Sequence, residues 1–146
     1  MKTRLAMGLL LFFLHTSLFA QSCLPEGIIF STQAQIDSFP VNYPGCKEIE
    51  GDMRIQGADI HDLSPLISLK EIGGGLTIRD NDSLASLHGL DSINSIGSEF
   101  SLINNDLLDN LSGINALKIV GGHLGIGEHE NLKDITSLSH LTYVGG

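Results

Sequence analysis

Residues 72–95, IGGGLTIRDNDSLASLHGLDSINS, decide the fold of this chain because their pattern of apolar residues and glycines recurs on both sides of them. The preceding block starts at Ile49, and the following blocks start at Ile96, Val120 and Val144. The five starting positions are separated by 23, 24, 24 and 24 residues. A fixed period of this length is typical of repeat architectures, in which neighbouring units stack to form the core.

Each block contains two kinds of apolar spacing. Leu76 and Ile78 are two residues apart, which indicates a short strand with one face turned inward. The next apolar residues of the same block recur at every third position: Leu84, Leu87, Leu90 and Ile93. Three residues turn an α-helix by about 300°, so an apolar stripe with this spacing drifts off one helix face within a turn or two. The spacing therefore excludes a long α-helix.

Each block predicts one turn of a coil in which short extended pieces are joined by sharp turns. We expect a strand, a turn at Asn81 or Asn105, a helical turn or irregular bend, and a second short extended piece before the next glycines. The glycines at 73–75 and 121–122 suit a corner that needs either positive φ or close approach of two backbones. The predicted fold class is a β-rich solenoid with coils of about 24 residues.

The first twenty residues have the pattern of a secretory signal peptide. Lys2 and Arg4 precede an apolar run over residues 5–19, and Ala20 supplies the small residue that a signal peptidase needs. The run is too short for a membrane span of about 20 apolar residues, so we expect no transmembrane segment after cleavage. The alternatives are an uncleaved anchor and lipidation at Cys23. The chain is therefore predicted to be secreted or displayed at the cell surface.

The charge and the cysteines further restrict the class of partner and the chemistry expected of the protein. Without residues 1–20 the chain has 6 Lys+Arg against 17 Asp+Glu, a net charge of −11, which argues against a nucleic-acid partner. The only two cysteines are Cys23 and Cys46. In an exported chain they are predicted to form one disulfide, with free or metal-binding thiols as the alternative.

Residues 21–48 are predicted to form an N-terminal cap for the repeats of residues 49–146. Residues 28–30 predict a strand, Ser31 or Thr32 can N-cap a helix that runs to Asp37, and two prolines then end it. The prolines are Pro40 and Pro44. The fifth coil starts at Val144 and is not completed, which raises the hypothesis that the chain is a fragment of a longer repeat protein.

Residues 72–93 resemble the leucine-rich, receptor L-domain-like repeats of growth-factor receptor ectodomains and of secreted Bacteroidetes-type surface proteins. Residues 23–37 and 43–46 are similar to the cap that precedes such repeats. The resemblance covers essentially all of residues 23–146 and implies a right-handed β-helix-like solenoid that recognises a ligand outside the cell. The family has no common ligand, so the expected partner is an extracellular protein or glycan.

The outward positions of the strands form the candidate ligand-binding ladder. A regular sheet face of this kind is where repeat proteins usually bind partners, although an ordinary solvated face has the same pattern. The candidate ligand-binding residues are Arg54, Thr77, Arg79, Glu99, Ser101 and His123.

The turns after the strands suggest a second site. Carboxylates and amides recur there in columns, and stacked carboxylates repel unless a hard cation such as calcium neutralises them. The alternative is that Asn and Asp are simply good turn formers. The calcium candidates are Asp80, Asp82, Asn104, Asp106, Glu128 and Glu130.

Other motifs are weaker. Histidines 61, 88, 123, 129 and 140 lie in different columns without zinc spacing. Asn81 and Asn110 begin N-glycosylation sequons, of which Asn81 is predicted to be better exposed in a eukaryotic source.

The predicted function is non-catalytic recognition. The alternatives are a structural spacer or calcium-stabilised segment of a larger surface protein, and a β-helical polysaccharide-processing enzyme. The uniform repeat length leaves no inserted loop to build a catalytic cleft, and no nucleophile with a matched base is recognisable. We therefore expect no enzyme activity.

Overall fold

The computed structural model describes residues 22–146, in which the strands form two parallel sheets. The predicted signal peptide lies outside the described residues. The six-stranded sheet contains β1 (Ser22–Cys23), β3 (Glu48–Ile49), β5 (Glu71–Ile72), β7 (Ser95–Ile96), β9 (Ile119–Val120) and β11 (Tyr143–Val144). The five-stranded sheet contains β2 (Ile28–Phe30), β4 (Met53–Ile55), β6 (Leu76–Arg79), β8 (Phe100–Ile103) and β10 (Leu124–Gly127). The chain thus alternates between the sheets and adds one strand to each per repeat.

The prediction of a β-rich, right-handed β-helix-like solenoid is wrong for this structure, which is an α/β-type arrangement of two parallel sheets with few helices. The reason lies in the segments whose apolar residues recur at every third position. Between β6 and β7, residues 80–94 form only turns and irregular backbone. Because no strand forms along these segments, strand pairing does not continue from one sheet to the other.

The sequence period appears as the register of strand pairing. Leu76 pairs with Phe100, and Phe100 pairs with Leu124, each 24 residues further along. In the other sheet Ile72 pairs with Ile96, which pairs with Val120. Equivalent side chains therefore lie beside one another at the spacing of neighbouring strands, about 4.8 Å. Both extended pieces predicted for each repeat are present.

The core consists of the apolar columns. Met53, Leu76 and Phe100 are fully buried, as are Leu63, Leu87 and Leu111 from the irregular segments. Those segments contain two short 3₁₀ turns, Ser64–Leu66 and Thr136–His140. A layer here means one repeat of residues 49–71, 72–95, 96–119 or 120–146. The columns of the first three layers are closed to solvent, whereas those of the last layer, apart from the fully buried Val120, are partly buried or exposed.

The cap before the first layer contains two short helices, α1 (Gln33–Asp37) and α2 (Phe39–Asn42). Thr32 is the N-cap of α1, and its side chain accepts a hydrogen bond from the backbone N–H of Gln35. The predicted end of the helix at Asp37 is confirmed. Pro40 does not end the helical segment as predicted, because it lies in the first turn of α2, where proline is tolerated.

The Cys23–Cys46 disulfide is present, with 5.8 Å between the Cα atoms, so the prediction of one disulfide is confirmed. It joins β1 to the residues just before β3. Phe30 and Phe39 of the cap pack edge to face, with ring centroids 5.8 Å apart. Within residues 22–146 no helix is long and apolar enough to cross a membrane.

Of the two predicted reasons for glycine at the corners, positive φ and close approach of two backbones, the structure shows the second at Gly121. Gly121 does not have a positive φ, but a Cβ atom added to it would collide with the carbonyl oxygen of Gly97. The glycine is therefore needed because consecutive layers approach closely at this corner.

Candidate functional site

The outward side of the five-stranded sheet is a regular surface formed by equivalent residues of successive repeats, and we call it the strand face. Side chains alternate along each strand, so every second residue of β4, β6 and β8 points away from the core. Two rows in register define the strand face: Ile29, Arg54, Thr77, Ser101 and Gly125 form the first, and Arg79, Ile103 and Gly127 form the second.

The predicted ligand-binding residues lie together on this face. Arg54, Thr77 and Ser101 are direct neighbours in the first row, and Arg79 lies in the second. Glu99 and His123 come immediately before β8 and β10 and are exposed. Strand alternation places Glu99 on the same side as Ser101, two residues later. The six residues therefore share one surface, and their role in binding stays a prediction.

The two arginines of the strand face differ in their partners. Arg79 Nε lies 2.8 Å from Asp80 Oδ2, so its charge is already paired. Arg54 is exposed and forms no ion pair with any of residues 22–146. It lines a shallow cavity of about 200 Å³ together with Glu26, Asp52 and the two isoleucines of β2. Arg54 is thus the arginine that remains free to pair with a ligand.

Ile29 is a residue of the strand face that the sequence analysis missed. Its side chain is 59% exposed and lies next to Arg54 in the register of β2 and β4. The signal was present in the run Ile28–Phe30, where alternation makes the central residue point away from buried Phe30. An exposed isoleucine beside an unpaired arginine is a small amphipathic contact surface, which we call the Arg54 patch.

The other end of the strand face is almost bare backbone. A Cβ atom added to Gly125 or Gly127 would meet no atom within 4 Å. These glycines and Ile103 border a second shallow cavity, of about 210 Å³, which Glu128 also lines. The face therefore changes from charged and apolar side chains at Arg54 to exposed main chain at β10.

The turn columns contain a buried asparagine ladder. Asn81 and Asn105 are fully buried. Asn81 Oδ1 accepts a hydrogen bond from the backbone N–H of Gly57, and Asn105 Oδ1 accepts one from the backbone N–H of Asn81. The two side chains also bond directly, from Asn81 Nδ2 to Asn105 Oδ1 at 2.8 Å. Each asparagine thus accepts a hydrogen bond from a backbone N–H group of the layer before it.

His129 occupies the third position of the ladder. Its Nδ1 atom lies 3.1 Å from the backbone nitrogen of Asn105, and its Nε2 atom lies 3.0 Å from the carbonyl oxygen of Leu102. The histidine therefore takes the place of an asparagine in the last layer. This ladder favours the structural interpretation of the central turn column, in which polar side chains hydrogen-bond the nearby backbone.

The carboxylate of Asp80, the first calcium candidate, already has several partners. Its Oδ1 atom accepts a hydrogen bond from Asn104 Nδ2 at 2.8 Å, and its Oδ2 atom accepts bonds from Arg79 and Gln56. The hydrogen bond from Asn104, followed by that from Arg79, holds the pKa of Asp80 below its ordinary value of 3.8. The repulsion expected between stacked carboxylates is therefore relieved here by protein groups.

The remaining calcium candidates are spread along the turns. Asp106 Oδ1 accepts a hydrogen bond from the backbone N–H of Glu130, while Asp82 and Glu130 are exposed. Asp80, Asn104 and Glu128 have a left-handed backbone with φ between 52° and 58°, which turns the chain out of each strand. In the described part of the chain, no group of three or more His, Cys, Asp and Glu side chains is arranged to hold a metal ion.

The prediction that Asn81 is the better exposed glycosylation site is wrong. Asn81 is fully buried in the ladder, whereas Asn110 is partly exposed. A sequon asparagine whose amide is bonded within the core has no room for a glycan. The sequence motif could not show this, because burial of Asn81 depends on the layer that follows it.

Comparison of the chain with family models, with curated proteins and with solved structures finds no match. The resemblance to receptor L-domain-like repeats therefore stays a prediction.

Proposed function

We propose that the chain is an exported, non-catalytic recognition module whose strand face binds an extracellular protein. The observation that carries the proposal is the Arg54 patch, in which an unpaired arginine lies beside an exposed isoleucine on a regular sheet. Arginine is enriched among the few residues that supply most of the binding energy of protein interfaces. Export is supported by the N-terminal signal pattern and by the disulfide, which persists in oxidising compartments.

The strand face favours a protein over a glycan as the ligand. The first row of the strand face combines a cation, Arg54, with the apolar side chain of Ile29 and the hydroxyl groups of Thr77 and Ser101. The two tyrosines of the chain, Tyr43 and Tyr143, lie outside this row, so the row itself offers no aromatic ring on which a sugar can stack. The carboxylates Glu26 and Asp52, beside Arg54, add selectivity for a partner surface of mixed charge.

The test is a binding screen of the exported chain against a panel of purified extracellular proteins. The Arg54→Glu and Ile29→Asp variants should weaken binding by about tenfold or more, because both residues belong to the proposed contact surface. Lys118→Glu is the matched control, since Lys118 is an exposed cation beside the other sheet.

Equal binding by Arg54→Glu, Ile29→Asp and Lys118→Glu would place the interface elsewhere. A chain that binds no member of a broad panel would favour the structural-spacer interpretation. Circular dichroism of each variant separates lost binding from lost folding.

A further inference from the structure

The outer edge of β2 in the N-terminal cap is a free sheet edge. β2 is the outermost strand of the five-stranded sheet, and among residues 22–146 it pairs only with β4. The chain before β2 comes from β1 in the other sheet, and the chain after it enters α1 and α2. Neither neighbouring segment of the described chain therefore adds a strand to this edge.

The backbone of Ile29 faces this edge. The N–H of Ile28 donates to the carbonyl oxygen of Asp52 at 2.8 Å, and the carbonyl oxygen of Phe30 accepts from the N–H of Gln56 at 2.9 Å. Ile28 and Phe30 thus direct their polar backbone groups towards β4. These groups alternate in direction along a strand, so the N–H and C=O of Ile29 point away from β4. No strand of the described chain lies there to pair with them.

A shallow cavity of about 280 Å³ lies beside the same strand. Its lining residues carry no formal charge: Ile28, Ile29, Phe30, Gln35, Asn42 and Tyr43. Gln35 Oε1 accepts a hydrogen bond from the backbone N–H of Ser31 at 2.6 Å, which fixes the amide group. Gln35 Nε2 has no hydrogen bond to any of residues 22–146. The cavity therefore offers amide groups and apolar walls to a ligand.

The edge and the cavity together fit an extended, uncharged peptide segment. A peptide main chain carries N–H and C=O groups that bond to those of an edge strand, as in strand addition to a sheet. A charged side chain in the cavity would find no partner of opposite sign, so an uncharged one enters at lower cost. The side chain of Ile29, 59% exposed, supplies an apolar contact for a residue on the outward face of the added segment.

We propose that β2 binds an extended, uncharged segment of the extracellular partner as an added strand of the five-stranded sheet. One side chain of the segment lies in the cavity beside Gln35, Asn42 and Tyr43. This proposal rests on the proposed function for the nature of the partner, and it adds how the partner is recognised. Because Ile29 and Arg54 are neighbours in register, the added strand extends the strand face beyond the Arg54 patch.

A phage-displayed library of short linear peptides of random sequence, selected on the exported chain, supplies the probe. The tightest peptide is measured by calorimetry against Ile29→Pro, which removes the edge-facing N–H group, and against Ile29→Val, the matched control that keeps it. Proline is tolerated in edge strands. We expect Ile29→Pro to weaken binding by about tenfold, because one hydrogen bond is lost, and Ile29→Val to change it little.

Amide hydrogen exchange of the wild type needs no variant and decides the case if circular dichroism shows that Ile29→Pro does not fold. The amide of Ile29 should exchange freely in the chain alone and gain protection when the peptide is added. Protection without peptide would show that another part of the chain or a second copy covers the edge, and would overturn the proposal. A library without binders, or equal binding by Ile29→Pro and Ile29→Val, would also overturn it.

The experiments separate this proposal from the proposed function. A panel protein whose binding is lost in Arg54→Glu but unchanged in Ile29→Pro would support the proposed function and overturn the strand addition. A peptide that needs the Ile29 N–H group, with no protein of the panel bound, would contradict the proposed function and support peptide binding at the edge.

Discussion

At the scale of single residues, the asparagine ladder is the feature with the clearest physical cause. The chain leaves β6, β8 and β10 through a residue with left-handed φ, namely Asp80, Asn104 and Glu128. Asn81 and Asn105 follow these residues and supply hydrogen bonds from their side chains to neighbouring backbone groups. A buried amide that both donates and accepts is well suited to this role.

Replacement of Asn105 by alanine should lower the free energy of unfolding by about 3 kcal/mol, because buried polar groups that lose a partner cost about 1–3 kcal/mol each. The groups that lose this partner are the backbone N–H and side-chain Nδ2 of Asn81 and the carbonyl oxygens of Ile78 and Ile103. Urea denaturation measures the change. Asn115→Ala, at an exposed asparagine, is the control and should change stability little. Equal losses in the two variants would contradict a structural role for the ladder.

Asp80 should make the free energy of unfolding decrease as the pH falls into the acid range. Because its pKa is lowered in the folded chain, the unfolded chain binds the proton first as the pH falls. Its contribution is therefore present above the ordinary value of 3.8 and is lost as the pH falls through the lower folded pKa. We expect Asp80→Asn to be less stable than the wild type near neutral pH and to lose less stability between about pH 5 and about pH 2.

Thermal unfolding of Asp80→Asn at several pH values measures this difference, and Asp82→Asn, at an exposed turn position, is the control. Identical pH profiles for the wild type and Asp80→Asn would show that the hydrogen bonds from Asn104 and Arg79 do not affect stability.

At the scale of elements, the pattern of every second residue predicted the strands well. Met53 and Ile55, Leu76 and Ile78, and Phe100 and Leu102 all lie in strands with buried side chains. The rule holds because a strand has only two faces and one of them lies on the core. It could not show that Pro40 lies in the first turn of a second helix, since a proline that ends one helix also suits the first turn of the next.

The disulfide should contribute substantially to the free energy of unfolding by holding the cap together. Cys23 and Cys46 are 23 residues apart, and closing a loop of this size stabilises a fold by about 3 kcal/mol through the unfolded state. The Cys23→Ser/Cys46→Ser double variant should lose about that amount in urea denaturation. Reducing agent should bring the wild type to the same value and leave the variant unchanged. A double variant as stable as the oxidised wild type would contradict this.

At the scale of the whole molecule, the layers stack on one another, and polar side chains of the turns are bonded to other protein groups. Asp80 is bonded to Asn104, Arg79 and Gln56, and Asn81 and Asn105 are bonded within the ladder. We therefore expect the melting temperature to be the same with added calcium and with a chelator. A saturable rise in melting temperature with calcium, absent with magnesium, would instead support the predicted calcium site at the turns.

The sequence by itself determined the period, the strands and the apolar columns, because these depend on local alternation and on the spacing of equivalent residues. Only the tertiary structure decided how the strands combine: two separate parallel sheets form, since the segments with three-residue spacing pair no strands between them. It also decided that Asn81 is buried and that Arg54 forms no ion pair with any of residues 22–146. Each of these properties depends on the neighbouring layer, and contacts between layers join residues about 24 positions apart in the sequence.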